Sequence, residues 1–317
     1  MKRLLVTGAS GLLGLNLAYL SASRYHVTGV LRGKRAVAVP GRTPFEVVAA
    51  DLTQPGQIER LVAQTCPDAI IHCAALTDVD RCQVAAQEAE EVNSRLPGQL
   101  AQVAYKNGVR LLHISTDAVF DGARGDYTEE DQPRPINTYA RTKLAGERAV
   151  SEANPDALVA RVNFFGWSWQ GSRSLSEYFF HHLSAGRPVP GYTDLLFCPL
   201  LVNDMVEILL RMLERGLSGL YHVVSSEAQS KFSFGRMLAR EFSLDENLIF
   251  PASSQASEMK APRPQRLTLR SDKLALALGE ALPGQQAALQ RYAALYHQGY
   301  PQALRSVLVE PDHSFVG

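Results

Sequence analysis

The feature that most constrains the fold is a glycine-rich turn near the start of the chain. An apolar run, Arg3–Thr7, leads into Gly8-Ala9-Ser10-Gly11-Leu12-Leu13-Gly14, and a helical pattern continues to Ser21. Glycines at this spacing allow a tight turn, close approach of the backbone to a pyrophosphate, and close packing of helix on strand. The helix N-terminus then offers unpaired N–H groups to phosphate oxygens. The turn therefore predicts a dinucleotide site formed by Gly8, Ser10, Gly11, Leu12, Leu13 and Gly14.

Short β-branched runs alternate with helical patterns along the chain, which is typical of parallel βαβ units. We predict strands at Arg3–Thr7, His26–Leu31, Phe45–Ala49, Ala69–Cys73, Arg110–Ser115, Leu158–Val162 and Gly219–Val224. The predicted helices are Leu12–Ser21, Pro55–Thr65, Ala85–Asn107, Tyr139–Ala153 and Leu200–Leu213. Several strands are apolar on both faces, as in sheets covered by helices on both sides. The prediction is an α/β Rossmann fold of the NAD(P)-binding kind, with a doubly wound parallel sheet of seven strands.

The pattern also divides the chain. Residues 1–165, with about 196–225, are expected to form the dinucleotide-binding domain. From 225 to 279 Ser, Pro and charged residues dominate, so residues 166–195 and 226–300 are expected to form a smaller, C-terminal substrate-binding lobe. The end of the chain, 301–317, is expected to be a loosely held tail.

Composition excludes several classes of partner. Lys plus Arg and Asp plus Glu both number 32, so no overall field attracts nucleic acid or a membrane surface. No apolar stretch approaches the roughly 18 residues that predict a transmembrane helix, and a cytoplasmic protein is expected. The four cysteines have no metal-ligand spacing, so no metal site is predicted.

The end of the second predicted strand bears on the choice of cofactor. An acidic side chain there accepts the ribose 2′-OH of NAD, whereas a basic one pairs with the 2′-phosphate of NADP. This strand is followed by three basic residues and no carboxylate: Arg32, Lys34 and Arg35. The run favours NADP(H) as the cofactor, with NAD(H) as the alternative. A run of charges that contacts only solvent is the non-functional interpretation. Ligands lie at the carboxyl ends of parallel strands, so the adenine is expected to contact Asp51 and Leu52. The cofactor is expected to cross the edge of the sheet at Ala74 and Ala75.

Tyr139 and Lys143 are spaced i, i+4 and therefore project from one helix face. A lysine ammonium beside a phenol is expected to lower the pKa of the phenol, which can then exchange a proton with a carbonyl oxygen. The hydroxyls of Ser115 and Thr116, at the end of a predicted strand, are expected to polarise the same oxygen. Asn93 is expected either to hold a water that relays protons to Lys143 or to be structural.

With these motifs together, the chain resembles the extended short-chain dehydrogenase/reductase family, and within it the dTDP-4-dehydrorhamnose reductase group. The resemblance implies a triad of Thr116, Tyr139 and Lys143, with Tyr139 as proton donor. It also implies hydride transfer from NADPH to the C4 ketone of a nucleotide-linked 6-deoxysugar, and it is compatible with a homodimer. The segments that carry it are Thr7–Gly14, His72–Cys82, Ile114–Gly122, Asn137–Glu147 and Arg161–Gly166.

The chain departs from the group's pattern in one loop. Where the group has a polar Asp-Gln-x-Gly-x-Pro-Thr segment, this chain has Asp194-Leu-Leu-Phe-Cys-Pro-Leu200. The loss of hydrogen-bonding groups suggests a more apolar substrate or a different sugar nucleotide. Aromatics at Trp167 and Trp169 are expected either to line the substrate pocket or to pack in the core, and Arg173 and Arg263 are candidates for a substrate pyrophosphate. The predicted substrate contacts are Ser115, Asn163, Trp167, Asp194 and Arg263.

Two other functions stay open. The regulatory β subunit of methionine adenosyltransferase resembles the same group, so a non-catalytic NADP-binding partner protein is the first alternative. The second is another chemistry of the extended family, such as a sugar-nucleotide epimerase.

Overall fold

The computed structural model describes residues 1–33, 37–256 and 261–309. Its strands are β1 (Arg3–Thr7), β2 (His26–Leu31), β3 (Val37–Ala38), β4 (Glu46–Ala49), β5 (Ala69–His72), β6 (Arg110–Thr116), β7 (Leu158–Val162), β8 (Phe164–Phe165), β9 (Val189–Tyr192), β10 (Leu196–Phe197), β11 (Leu200–Leu201), β12 (Gly219–Val223), β13 (Gln229–Ser230), β14 (Ile249–Ala252), β15 (Arg266–Leu267) and β16 (Leu308–Val309). Its α-helices are α1 (Leu12–Ser21), α2 (Gln57–Thr65), α3 (Val79–Val84), α4 (Ala86–Glu90), α5 (Leu96–Lys106), α6 (Thr138–Ala153), α7 (Leu175–Ser184), α8 (Val202–Glu214), α9 (Lys231–Glu241), α10 (Asp272–Leu278), α11 (Gln285–His297) and α12 (Tyr300–Val307).

The central sheet confirms the predicted fold. Seven strands lie in the order β12-β7-β6-β5-β1-β2-β4, and every neighbouring pair is parallel. The chain winds outward from β1 in one direction to β2 and β4, and in the other direction to β5, β6, β7 and β12. Strand order therefore reverses between β1 and β5. A ligand is expected outside the carboxyl ends of these two strands, because helices leave a crevice at such a switch point.

Helices cover both faces of the sheet, as its apolar strands require. On one face α2 and α5 bury Ile58, Leu61 and Leu100 against β1 and β5. On the other face α1, α8 and α12 form one large core with Leu17, Leu209 and other buried side chains. The apolar side chains on both faces of the sheet are thus buried under helices. Their removal from water is the dominant stabilising contribution to a fold of this kind.

One predicted helix is interrupted. The pattern at 85–107 predicts a continuous helix, but a π-helical turn at Glu91–Arg95 separates α4 from α5. The turn lies against α6 so closely that a Cβ added to Gly146 would collide with the main-chain oxygen of Asn93. Single π turns insert one extra residue into a helix and are frequent at functional sites.

The predicted tail, 301–317, is packed over the part that the structure describes, 301–309, and 310–317 lies outside the described residues. Residues 300–307 form α12, and β16 pairs antiparallel with β3. Leu304 and Val307 are fully buried in the large core, and the hydroxyl of Tyr300 donates to Asn16 Oδ1 of α1 at 2.6 Å. The apolar spacing of Tyr300, Leu304 and Val307 accounts for this helix, because these side chains lie on one face. None of the helices in the described ranges has the length and apolar character needed to cross a bilayer.

Candidate active site

The glycine turn has the geometry that its spacing predicts. Gly8 has a φ of +68°, and a Cβ there would lie 2.7 Å from the main-chain nitrogen of Ala74. At Gly14 a Cβ would collide with the carbonyl of Gly8, so helix α1 can approach β1 only because this residue lacks a side chain. Gly11 is the first residue ahead of α1, and its N–H donates to Gly8 at 2.9 Å. The turn is therefore a tight cradle beside the N-terminus of α1.

A cleft of about 660 Å³ opens at this turn and runs along the carboxyl edge of the sheet. Its size and position suit a dinucleotide, since ligands of open α/β sheets lie at this edge. The predicted site residues that line it are Gly8, Ser10, Gly11, Leu12, Leu13, Gly14, Arg32, Asp51, Leu52, Ala74, Ala75, Ser115, Thr116, Tyr139 and Lys143. Lys34, another predicted cofactor residue, lies outside the described residues.

Arg32 has carboxylate neighbours that the sequence motif did not reveal. Its guanidinium lies 3.9 Å from Asp51 Oδ1 and 3.5 Å from Glu88 Oε1, and its side chain is 47% exposed. Hydrogen bonds from Thr53 lower the pKa of Asp51, so this carboxylate stays charged at neutral pH. Arg32 is thus held at the cleft by two anions, and its exposed half remains open to a further one.

Tyr139 and Thr116 meet at the carboxyl end of β6. The side chain of Asn137 caps α6 by accepting from the N–H of Ala140 at 2.9 Å, which places Tyr139 in the first turn. Burial raises the pKa of Tyr139 above its ordinary value; a hydrogen bond with Thr116 opposes the shift, and Asp117 adds to it. Tyr139 is therefore a neutral phenol at physiological pH.

Lys143 is bonded to the strand rather than to the phenol. Its Nζ donates to the carbonyl of Ile114 at 2.6 Å and lies 3.4 Å from His113 Nε2. Burial lowers the pKa of Lys143 to about 8, and the charge of Glu147 opposes the shift. The expectation that Lys143 lowers the pKa of Tyr139 differs from the structure, in which desolvation of the phenol outweighs every other contribution to the pKa of Tyr139.

Two buried histidines beneath Lys143 were not anticipated. His72 and His113 occupy paired positions of β5 and β6, and their rings stack 5.3 Å apart. His72 Nδ1 is hydrogen-bonded to the hydroxyl of Thr7 at 2.7 Å. Burial lowers the pKa of His72 to about 3 and that of His113 well below its ordinary value, and the charge of Lys143 lowers both further. Both rings are therefore neutral. The sequence signal for this pair was a histidine at the matching position of two adjacent apolar strands.

Asn93 is a structural residue in this arrangement. Its amide oxygen accepts from the N–H of Leu76 at 2.8 Å, while its amide nitrogen donates to the carbonyl of Leu76 and to Thr142 Oγ1. The π turn thus joins the loop after β5 to helix α6. The expectation of a water-relaying asparagine finds less support than the structural alternative.

Ser115 borders the cleft, but its hydroxyl is bound elsewhere. It donates to Glu147 Oε1 at 2.5 Å. Glu147 in turn forms a two-point ion pair with Arg161, with nitrogen–oxygen distances of 3.0 and 2.8 Å, and both side chains are buried. The Ser115 hydroxyl is therefore engaged by this ion pair, whereas the Thr116 hydroxyl meets Tyr139.

Asp117 and Asn163 form a polar pair next to Tyr139. The amide of Asn163 donates to Asp117 Oδ2, and the Thr116 hydroxyl donates to Asp117 Oδ1 at 3.1 Å. Burial raises the pKa of Asp117 to about 6, whereas these hydrogen bonds and the charge of Lys231 oppose the shift. Asn163 is therefore hydrogen-bonded to Asp117 and does not itself line the cleft.

Besides Asn163, three predicted substrate residues do not line the cleft. Trp167 is fully buried, stacks on Tyr292 at 4.1 Å and donates to its carbonyl. The carboxylate of Asp194 accepts from Ser253 and Ser254, at 2.7 and 3.0 Å for their hydroxyls. The guanidinium of Arg263 lies 3.4 Å from Asp80.

The apolar residues of the divergent loop are core residues. Leu195 and Phe197 are buried, and the Phe197 ring packs edge-on against Phe234 at 5.5 Å. The loop is therefore apolar because it fills the small lobe, and it gives no support to a more apolar substrate. His182 Nδ1 is hydrogen-bonded to the carbonyl of Tyr178, within its own helix.

The segment that follows Trp167 lines the cleft in place of those three predicted substrate residues. Trp169 donates its indole N–H to the carbonyl of Ser10 at 2.9 Å, and Gln170, Ser172 and Arg173 lie along the same wall. Trp169, and not Trp167, therefore lies at the cleft. Among the residues that the structure describes, no group of three or more His, Cys, Asp or Glu side chains is arranged to hold a metal ion.

A doubly wound parallel sheet, a glycine turn at its switch point and a Tyr–Lys pair on the same cleft define the class: a Rossmann-fold protein of the extended short-chain dehydrogenase/reductase type. Within that class the chain belongs to the family described as "RmlD substrate binding domain", whose model matches residues 1–298.

Curated relatives cover nearly the whole chain. A probable low-salt glycan biosynthesis reductase of Haloferax volcanii is 34% identical over 88% of this chain and 93% of its own length. A dTDP-4-dehydrorhamnose reductase of Mycolicibacterium smegmatis is 32% identical over 91% of this chain and 84% of its own. Methionine adenosyltransferase 2 subunit beta of Rattus norvegicus is 31% identical over 89% of this chain and 84% of its own.

Among solved structures, dTDP-4-dehydrorhamnose reductase of Bacillus anthracis, in complex with NADP, is 25% identical with a TM-score of 0.78. The match covers 92% of this chain and 98% of that one. The shared fold thus includes the small lobe as well as the central sheet.

Proposed function

We propose that the protein is an NADPH-dependent reductase of a nucleotide-linked 4-keto-6-deoxysugar, with Tyr139 as the proton donor. The observation that carries the proposal is the meeting of Thr116, Tyr139 and Lys143 with the glycine turn on one cleft. Relatives that are named reductases, of which one is described with NADP, support the chemistry and the cofactor.

The residues of the cleft fit a dinucleotide. The approach of Gly8 to Ala74 and of Gly14 to Gly8 leaves main-chain atoms at the surface of the cradle, where side chains would otherwise stand. The N-terminus of α1 faces the same space and attracts phosphate oxygens. We assign Arg32 to the 2′-phosphate of NADP, because among the described residues it is a half-exposed cation that lines the cleft at the end of β2. NAD(H) is the alternative cofactor, because the glycine turn binds the diphosphate that NADP(H) and NAD(H) share, and the 2′-phosphate of NADP(H) only adds to the affinity.

The chemistry follows from the state of each side chain. When bound, NADPH supplies the hydride that adds to the C4 carbonyl carbon of the sugar, and NADP⁺ is left. The carbonyl oxygen takes the proton of the Tyr139 hydroxyl, which is present because burial holds the pKa of Tyr139 high. Thr116 can then donate a hydrogen bond to the phenolate, and the buried Lys143 ammonium supplies a positive charge near it. The product is the sugar alcohol.

The proposal is tested by mixing the purified protein with NADPH and a panel of nucleotide 4-keto-6-deoxysugars while the absorbance of reduced nicotinamide is followed. Tyr139→Phe removes only the hydroxyl and should lower turnover by roughly 10²- to 10⁴-fold, with NADPH binding preserved. Tyr105→Phe is the matched control, because Tyr105 is an exposed tyrosine on α5. Undiminished turnover in Tyr139→Phe would exclude Tyr139 as the donor.

A second function is favoured by one relative. The regulatory subunit of methionine adenosyltransferase matches over 89% of this chain, so we keep a cofactor-binding partner protein as the alternative. Measurable NADPH binding without oxidation by any sugar of the panel would favour it. We also propose a cytoplasmic location and a homodimer, and sedimentation of the purified chain measures the oligomeric state.

A further inference from the structure

The loop 168–173 forms part of the wall of the cleft that the glycine turn also lines. It follows β8 and precedes α7, so it belongs to the small lobe. The Trp169 indole donates to the carbonyl of Ser10 at 2.9 Å, which attaches the loop directly to the turn. Gln170, Ser172 and Arg173 border the same cleft as Gly8, Gly11 and Gly14. A group bound at the turn is therefore within the space that the loop encloses.

A buried carboxylate holds this wall in one conformation. Glu177 of α7 is fully buried, and its Oε1 accepts from the main-chain N–H of Ser168 at 2.7 Å and from the Ser168 hydroxyl at 2.9 Å. Its Oε2 accepts from the N–H of Arg173 at 2.8 Å and from that of Ser174 at 3.2 Å. Both ends of the loop are thus hydrogen-bonded to one side chain. Because the loop is already ordered, the entropic cost of ordering it when a ligand binds is small.

Two polar side chains of the wall lack partners. Gln170 Oε1 is buried, yet it has no hydrogen-bond donor among the residues that the structure describes. Buried acceptors are nearly always hydrogen-bonded, so this oxygen points to a donor on a ligand. Arg173 is exposed beside it, and no carboxylate of the described ranges lies within ion-pair distance of its guanidinium. A cation and an acceptor without protein partners among the described residues therefore line the same cleft as the turn.

We propose that Arg173 binds the diphosphate of the dinucleotide on the side opposite the glycine turn, and that Gln170 accepts a hydrogen bond from an adjoining ribose hydroxyl. The inference rests on the proposed function for the presence of that dinucleotide. The turn contacts a diphosphate with N–H groups from one side only, whereas an arginine fork matches two phosphate oxygens from the other. The attachment of Trp169 to Ser10 favours the cofactor's diphosphate over that of a sugar nucleotide, which has to reach Tyr139.

The test compares two ligands by isothermal titration. NADPH contains a diphosphate, whereas adenosine 2′-monophosphate keeps the adenosine and the 2′-phosphate but has no phosphate at the 5′ position. Arg173→Met should weaken NADPH binding by about tenfold or more, the scale of one charge-assisted contact, and change binding of the monophosphate by less than about twofold. Arg173→Lys should lose less affinity, because it keeps the charge. Gln170→Met should weaken NADPH binding by a smaller factor.

Arg187→Met is the matched control, since Arg187 is an exposed arginine of the same lobe. An unchanged NADPH affinity in Arg173→Met, with a wild type that binds NADPH, overturns the inference and leaves the proposed function intact. A loss of dTDP affinity in the NADPH-loaded protein, without loss of NADPH affinity, also overturns it and transfers Arg173 to the sugar nucleotide. A wild type that binds no NADPH contradicts the proposed function itself.

Discussion

The Lys143 ammonium donates a hydrogen bond to the main-chain oxygen of Ile114 at 2.6 Å. This bond joins the helix of the Tyr139–Lys143 pair to the strand that ends at Thr116. The two halves of the candidate active site are therefore held in register by one buried cation, whose own pKa is lowered to about 8 by burial.

The state of this cation predicts the pH dependence of reduction. Tyr139 stays protonated well above neutral pH because burial raises its pKa, so it sets no limit near pH 7. Lys143 loses its charge as pH rises through about 8, and the positive charge near the developing phenolate disappears with it. Because Asp117 beside Tyr139 titrates near pH 6, we expect kcat/KM for the keto sugar to be level between about pH 7 and this pH and to fall above it. A profile that stays flat through about pH 9.5, more than one unit beyond that pKa, would contradict this role of Lys143.

The buried ion pair of Glu147 and Arg161 predicts a large loss of stability on truncation. Glu147→Ala leaves the Arg161 guanidinium buried without its partner, which typically costs about 3–5 kcal/mol. The free energy of unfolding in urea measures the loss. The control is Glu91→Ala, which breaks the exposed i, i+4 pair with Arg95 and should cost no more than about 0.5 kcal/mol. Equal losses in both variants would show that Glu147 has no special role.

Buried neutral histidines predict sensitivity to acid. Burial lowers the pKa of His72 and of His222 from 6.5 to about 3, so the unfolded chain binds protons first as pH falls. Their contribution to stability is complete above about pH 6.5 and is lost progressively toward pH 3. Replacing His72 by Asn should reduce the slope of unfolding free energy against pH between about 6 and 4 by close to one proton.

Arg32 predicts the choice between the two cofactors. Arg32→Ala should weaken binding of NADPH by roughly ten- to hundredfold, the scale of a charged hydrogen bond, and leave binding of NADH nearly unchanged. Arg60→Ala is a suitable control, because this exposed arginine lies on α2 away from the cleft. Equal affinities for NADPH and NADH in the wild type would mean that the basic run is a solvated surface.

Helix α12 gives a test of its own. Leu304 is fully buried in α12, so Leu304→Ala should lower the free energy of unfolding by about 2–5 kcal/mol. Gln302→Ala, on the exposed face of the same helix, should change it by less than about 0.5 kcal/mol. Thermal and urea denaturation both measure the difference. A negligible effect of Leu304→Ala would restore the loosely held tail.

The sequence alone determined the central sheet and the positions of the cleft residues at its edge. The limits of β1, β2, β7 and α1 match the predicted ones to the residue. Such elements are predictable because their signals are local: apolar runs, glycine spacing and the i, i+4 period all act within a few residues. The same local rules brought Tyr139 and Lys143 to one helix face.

Only the tertiary structure decided which polar and aromatic side chains meet the cleft. Trp167 and Trp169 are two residues apart and chemically alike, yet the first packs on Tyr292 and the second bonds to Ser10. Ser115 and Thr116 differ in the same way, because Glu147 takes the hydroxyl of the first. Partners this distant in sequence leave no local pattern. The small lobe consists of short strands and loops, so burial by remote residues decides the direction of each side chain there.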